Sequence, residues 1–175
     1  EVNSLVNLIQ IRKIRKERGM KQPPMSLHLV FSGNPGTGKT TVARLLSKIY
    51  KKLGVLSKGH LIETDRSGLV GGYLGQTAIK TQEVIQSAMG GILFIDEAYT
   101  LVPKSQNDAY GQEAIDTILK AMEDHRDDLV VIVAGYPALM DNFIHSNPGL
   151  ESRFNKYIFF DDYNPEELYG IFISM

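Results

Sequence analysis

No cysteine occurs among the 175 residues. Its absence excludes disulfides, thiolate metal ligands and thiol catalysis together, and fits a reducing compartment. Charge of one sign is lacking too: the formal net charge is −1. No global field therefore draws the chain to nucleic acid or to an anionic membrane, and only a local patch could do so. No apolar run approaches the roughly 18 residues needed to span a bilayer, and the N-terminal stretch has no signal-peptide core. A cytoplasmic location with no membrane partner is the default expectation. The histidines His28, His60, His125 and His145 are scattered without metal-ligand spacing, so no zinc site is expected. Internal repeats and low-complexity tracts are absent as well.

What is present suffices for one sizeable core. Apolar residues make up 43% of the chain and charged residues 22%, the balance of an ordinary globular domain. Val2, Leu5, Val6 and Ile9 repeat with helical spacing, so the chain is expected to open inside an amphipathic helix, as though cut from something longer. Arg12, Lys13, Arg15, Lys16, Arg18 and Lys21 follow. They fit either a nucleic-acid patch or the cations that favour a helix C-terminus, and Glu17 among them supports the second. Gly19 and Pro23-Pro24 mark a linker, giving a helix-and-linker segment over residues 1–24.

From Leu27 onward short β-rich runs alternate with helical ones, the pattern of a parallel sheet flanked by helices. Strands are expected at Leu27 to Ser32, His60 to Thr64, Gly91 to Ile95, Leu129 to Ala134 and Lys156 to Phe160. Leu29-Val30-Phe31, Ile92 to Ile95 and Val130 to Val133 are continuously apolar, so they belong at the sheet centre, covered on both faces. Val42, Leu45, Leu46, Ile49 and Leu53 share one helical face, and Ile115, Ile118, Leu119 and Met122 another. Pro137 is placed to open a shorter helix. Asn164 and Pro165 are placed to cap and open a last one, cut short at Met175 with a further module expected beyond it.

Two clusters carry chemistry. Gly33-Asn34-Pro35-Gly36-Thr37-Gly38-Lys39-Thr40 matches the P-loop pattern and lies between a strand and a helix, the context that supports such a match. Glycines at 36 and 38 let successive N–H groups turn inward as an anion nest, reinforced by the helix N-terminus. Lys39 can reach the β- and γ-phosphates of ATP, Thr40 can ligate Mg²⁺, and Thr41 faces the α-phosphate side. The second cluster is Ile92-Leu93-Phe94-Ile95-Asp96-Glu97, an apolar strand ending in two carboxylates. Charges at the end of a buried strand are costly unless used. Asp96 is suited to the Mg²⁺ shell and Glu97 to orienting and deprotonating the attacking water.

With Asn147-Pro148-Gly149-Leu150-Glu151-Ser152-Arg153-Phe154, these two clusters resemble the AAA+ ATPases. More narrowly, Leu69-Val70-Gly71-Gly72-Tyr73-Leu74-Gly75, Phe94-Ile95-Asp96-Glu97-Ala98-Tyr99 and Ala134-Gly135-Tyr136-Pro137 resemble the subgroup containing stage V sporulation protein K and red-type Rubisco activase. The resemblance covers almost the whole chain. It implies a P-loop three-layer α/β sandwich with a five-stranded parallel sheet over residues 25–163, and a helical lid of which residues 164–175 are only the start.

The resemblance also implies a homo-oligomeric ring, usually a hexamer, with ATP at each subunit boundary. Arg153 matches the arginine that completes the neighbour's site, although it could instead pair with a surface acid such as Glu151. Tyr73-Leu74-Gly75 matches the pore loop that grips a polypeptide, so a protein substrate is implied and nucleic acid is not. Gly68, Gly71, Gly72 and Gly75 would keep that loop mobile. One departure stands at Ala134-Gly135-Tyr136, where the family commonly has a polar residue, often asparagine, that positions the water. The family's adenine-contacting segment and second sensor arginine would lie before Glu1 and after Met175. The leading expectation is an ATP-driven motor that remodels or threads a partner protein. A nucleotide-controlled assembly scaffold and a nucleic-acid motor are the alternatives.

Overall fold

Strands that are apolar on both faces require a helical layer on each side. The computed structural model, which describes residues 1–22, 25–73, 75–105 and 108–175, has that arrangement. Among the described residues, β1 (Leu29–Gly33), β2 (Leu61–Thr64), β3 (Ile92–Ile95), β4 (Val130–Gly135) and β5 (Tyr157–Phe160) form one parallel sheet in the order β2-β3-β4-β1-β5. Phe31 stands beside Ala134 on one side and Ile158 on the other. The three continuously apolar runs occupy the interior positions β3, β4 and β1, as expected.

Alternation along these strands sends side chains into two separate cores. Leu29, Phe31, Ile92, Phe94, Val130, Ile132 and Ala134 face α1 (Val2–Glu17) and α2 (Lys39–Lys52). Val30, Leu93, Ile95, Val131 and Val133 face the opposite layer. That layer contains α3 (Arg66–Leu69), α4 (Gln76–Ala88), a 3₁₀ turn (Ala98–Leu101), α5 (Ala109–Asp124), α6 (Pro137–His145) and α7 (Pro148–Arg153). Each fully buried large apolar side chain contributes about 1.5–3 kcal/mol. The aromatic set Phe31, Phe94 and Phe160, with centroids 6.4 Å and 4.9 Å from Phe31, holds the α2 side against the strand ends that carry the site.

Several boundaries and faces differ from expectation. On α2 the buried stripe is Ala43, Leu46, Ser47 and Tyr50, spaced i, i+3, i+4, i+7. Val42 and Leu53 flank this stripe, while Leu45 points to solvent. Small residues at 43 and 47 let the helix approach the sheet, which an apolar count overlooks. The pattern of α4 is similarly disguised, because its inward positions are Thr77, Thr81, Ile85 and Ala88. The two threonines satisfy backbone: Thr81 Oγ1 donates to Leu69 O at 2.9 Å, and Thr77 Oγ1 accepts from Gly71 N–H at 3.0 Å. The expected Pro23-Pro24 linker lies outside the described residues. The last helix, α8 (Pro165–Ser174), opens with a full capping box between Asn164 and Glu167.

β1 begins two residues later than expected because a side chain replaces the ladder. The Nδ1 of His28 accepts the Val131 N–H at 2.9 Å, so the ring must be neutral there. Burial, and secondarily the positive Arg153, pull its pKa from 6.5 to about 4. Above pH 6.5 both folded and unfolded chains hold this histidine neutral and it contributes no pH dependence. As pH falls from 6.5 towards 4 the unfolded chain takes up the proton first, so stability is lost through that window. Denaturant titrations at pH 7 and pH 5 should differ by about 2 kcal/mol from this group alone. A His28→Asn variant, with an acceptor that does not titrate, should lack that component; an unchanged difference would refute the assignment.

Candidate active site

The loop between β1 and α2 gets its shape from two left-handed glycines, Gly36 at φ 75° and Gly38 at φ 91°. Any side chain at these positions would strain the backbone. Gly38 is the N-cap of α2, so the first N–H groups of that 14-residue helix open towards the loop. Lys39 Nζ folds back and donates to Gly33 O at 2.9 Å and Asn34 O at 2.7 Å. Burial holds its pKa below the usual lysine value, against the opposing pull of the Asp96 carboxylate. A phosphate at the loop would offset that desolvation.

Gly33, Pro35, Gly36, Gly38, Lys39, Thr40 and Thr41 line a cleft of about 460 Å³. Asn34 and Thr37 belong to the same loop but use their side chains to brace it. Thr37 Oγ1 donates to Asn34 O at 2.7 Å, and Asn34 Nδ2 donates to the two Asp162 oxygens at 3.0 and 3.1 Å. The Tyr163 hydroxyl donates to Thr37 O at 3.0 Å. Asp162 and Tyr163 are thus functional neighbours that sequence reasoning missed; the only signal was their place just before the Asn164-Pro165 cap.

Asp96 and Glu97 line the same cleft, at the carboxyl end of β3, where ligands of open parallel sheets bind. The Asp96 N–H donates to Thr64 O at 2.8 Å, and Asp96 Oδ1 accepts the Glu97 N–H at 3.0 Å. Glu97 is the only non-glycine residue with positive φ among the described residues, at φ 48° and ψ 43°. That conformation costs about 1–2 kcal/mol. Its carbonyl is held by the Thr100 N–H at 2.9 Å and Thr100 Oγ1 at 2.7 Å.

Tyr136 also lines the cleft, and its ring lies 6.2 Å from that of Tyr99. Burial first, and then the nearby Glu97 carboxylate, raise the Tyr99 phenol above its usual pKa. The oxygen donors Thr40 and Asp96 suit a hard divalent cation. No group of three or more histidine, aspartate or glutamate side chains placed to hold a metal ion exists among the described residues.

Arg153, at the end of α7, is not in this cleft. It borders another groove together with His28, Glu123 and Arg126. Arg153 Nη2 lies 3.4 Å from Glu123 Oε2, and Nη1 donates to Gly149 O at 3.2 Å. Glu151, the acid considered as its partner, faces His145 instead. Tyr73 is 74% exposed, and Gly75, left-handed at φ 80°, is the N-cap of α4. Gly68 falls within α3, and a side chain at Gly71 would meet Gln76, so these glycines also serve packing. Leu74 lies outside the described residues. No helix is long and apolar enough to cross a membrane among the described residues.

The sequence pattern of the family described as "ATPase family associated with various cellular activities (AAA)" matches residues 29–162. Stage V sporulation protein K of Bacillus subtilis (strain 168) is 52% identical over 163 residues, 93% of this chain and 50% of that protein. The chloroplastic ribulose bisphosphate carboxylase/oxygenase activase of Cyanidioschyzon merolae (strain NIES-3377 / 10D) is 49% identical over 167 residues, covering 95% and 57% respectively. The chain thus spans about half the length of these curated relatives. Among solved structures, the FIGL-1 AAA domain in complex with ADP matches with a TM-score of 0.68 at 17% identity, over 99% of this chain and 56% of that one. At that identity the likeness speaks for the fold. Sequence pattern, relatives and fold agree, and the chain belongs to the AAA family of ATPases.

Proposed function

We propose that this chain is the ATP-hydrolysing core of a homo-oligomeric ring, hexameric in the family's usual form, that remodels or threads a partner protein. The observation that carries the reading is the meeting of the phosphate loop, Thr40, Asp96 and Glu97 in one cleft. Backbone N–H groups at the start of α2 and the Lys39 ammonium bind the β- and γ-phosphates of ATP. A Mg²⁺ ion, held by Thr40 and Asp96, would neutralise charge on those phosphates. Glu97 orients a water and accepts its proton. Arg153, remote from its own cleft, reaches the γ-phosphate bound by the next subunit. Residues 164–175 open a helical lid.

The exposure of Tyr73 supports its role as the gripping residue: a large aromatic free of its own core can hold a polypeptide without reading its sequence. Similarity to a protein named an activase of ribulose bisphosphate carboxylase/oxygenase supports a protein substrate. Tyr73→Ala should leave Mg-ATP turnover within about twofold and reduce partner remodelling by about tenfold or more, losses of the size seen at buried aromatic anchors. Normal remodelling by this variant would remove Tyr73 from the gripping role, whereas a parent protein that turns over Mg-ATP yet remodels no partner would be a nucleotide-controlled assembly scaffold. Absence of Mg-ATP turnover from the assembled parent protein would overturn the whole reading.

A further inference from the structure

The segment that carries Tyr73 begins at Arg66, the first residue of α3. Arg66 is fixed by three hydrogen bonds: Nη1 donates to Thr100 O at 2.7 Å, and Nη2 to both carboxylate oxygens of Asp108 at 3.1 Å. The guanidinium and its acid are 31% and 21% exposed, sheltered enough for the pair to hold its geometry. Thr100 in turn donates twice to the carbonyl of Glu97, the left-handed residue at the end of β3. One bonded chain therefore runs from the backbone of the carboxylate, through the 3₁₀ turn, to the root of the Tyr73 segment. The remainder of that segment is fastened to α4 by Lys80 Nζ, which donates to Ser67 O and Val70 O.

We propose that Arg66 is a positioning residue for Glu97, and the link through which the Tyr73 segment and the carboxylate's turn move together. The proposal rests on the reading of Glu97 as the base. A strained left-handed residue persists only where its surroundings over-determine it. The Thr100 bonds supply that constraint at the Glu97 carbonyl, and Arg66 holds Thr100 from the other side. The fork is needed because Arg66 must serve a carbonyl and a carboxylate at once, a planar arrangement that an ammonium does not reproduce. Displacement of the segment by a gripped polypeptide would pull Arg66 from Thr100 O and loosen the turn that aims Glu97.

The test is steady-state ATP hydrolysis by the assembled full-length protein carrying Arg66→Ala, Arg66→Lys or Thr100→Val, with thermal midpoints measured in parallel. Arg66→Ala should lower kcat about tenfold with KM for ATP changed by less than about twofold, since the ground-state phosphate contacts are untouched. Arg66→Lys should stay well below the parent despite its retained charge. Thr100→Val leaves the Arg66–Asp108 pair in place and should lower kcat in the same direction at unchanged KM. The double variant should lose less than the product of the singles, as members of one network do. A kcat within about twofold of the parent in Thr100→Val overturns the proposal, and decides the matter alone if Arg66→Ala does not fold. An Arg66→Ala effect confined to KM or to the melting midpoint overturns it too. Glu97→Gln in the same preparation separates the two layers. If it is inactive while Thr100→Val is normal, only the coupling falls; if it turns over normally, the base assignment falls and the coupling with it.

Discussion

Glu97→Gln should bind ATP as tightly as the parent and hydrolyse it about 10²- to 10⁴-fold more slowly, the usual worth of a positioned general base. The side chain keeps its length and its place in the cleft but can no longer take the proton of the attacking water. Its backbone is the sharper control. Glutamine retains the Cβ that makes φ 48° unfavourable, so its thermal midpoint should match the parent's. Glu97→Gly should be equally inactive yet more stable by about 1 kcal/mol, raising the midpoint by about 2–4 °C in a domain of this size. Phosphate release, retained nucleotide and calorimetry together separate the chemistry from the strain. Normal phosphate release by Glu97→Gln would remove Glu97 from the mechanism.

If Arg153 completes the neighbour's site as proposed, Arg153→Ala should lower turnover by about 10³ or more, the range for arginines supplied across an interface. The placement of Arg153 gives this prediction a distinctive form, because the residue stands outside the cleft of its own subunit and pairs with Glu123. The acid of that pair is 62% exposed, and ion pairs open to solvent are worth about 0–1 kcal/mol, so little would oppose release of the guanidinium to a triphosphate. Subunits carrying only Arg153→Ala have intact loops and carboxylates; subunits carrying only Glu97→Gln have intact arginines. Mixed, the two inactive proteins should recover a fraction of the parent's activity wherever an intact loop meets an intact arginine. No recovery on mixing would mean that Arg153 acts within its own chain, or not at all. A rise in specific activity with protein concentration is the corresponding sign in the parent.

How much of this was legible depended on distance along the chain. The phosphate loop and the Asp96-Glu97 pair are each contiguous, and their strand-to-loop context is local, so the residue string was enough to put each at the end of an apolar strand. That the two strands, β1 and β3, stand either side of β4 was not legible. The central strands announced themselves because both faces are apolar. Arg66–Asp108 and Asn34–Asp162 join residues 42 and 128 positions apart, and nothing in the spacing of ordinary acids and amides marks such partners. The same limit applies to Arg153: Glu151 is only two residues away along the chain, whereas its partner Glu123 lies 30 residues upstream. Helix α4 escaped notice for another reason. Threonine counts as polar in a pattern, yet Thr77 and Thr81 are fully buried because each bonds to the backbone of the preceding segment.

The brace formed by Asp162 and Tyr163 on the phosphate loop has a thermodynamic consequence. A flexible glycine-rich loop would have to surrender its freedom each time a nucleotide arrived, weakening every binding event by that entropy. Here Asn34 and the Thr37 carbonyl are already tied to the segment that leads into α8. The ordering is completed once, when the polypeptide folds, and the loop can meet successive nucleotides as a rigid receptor through any number of turnovers.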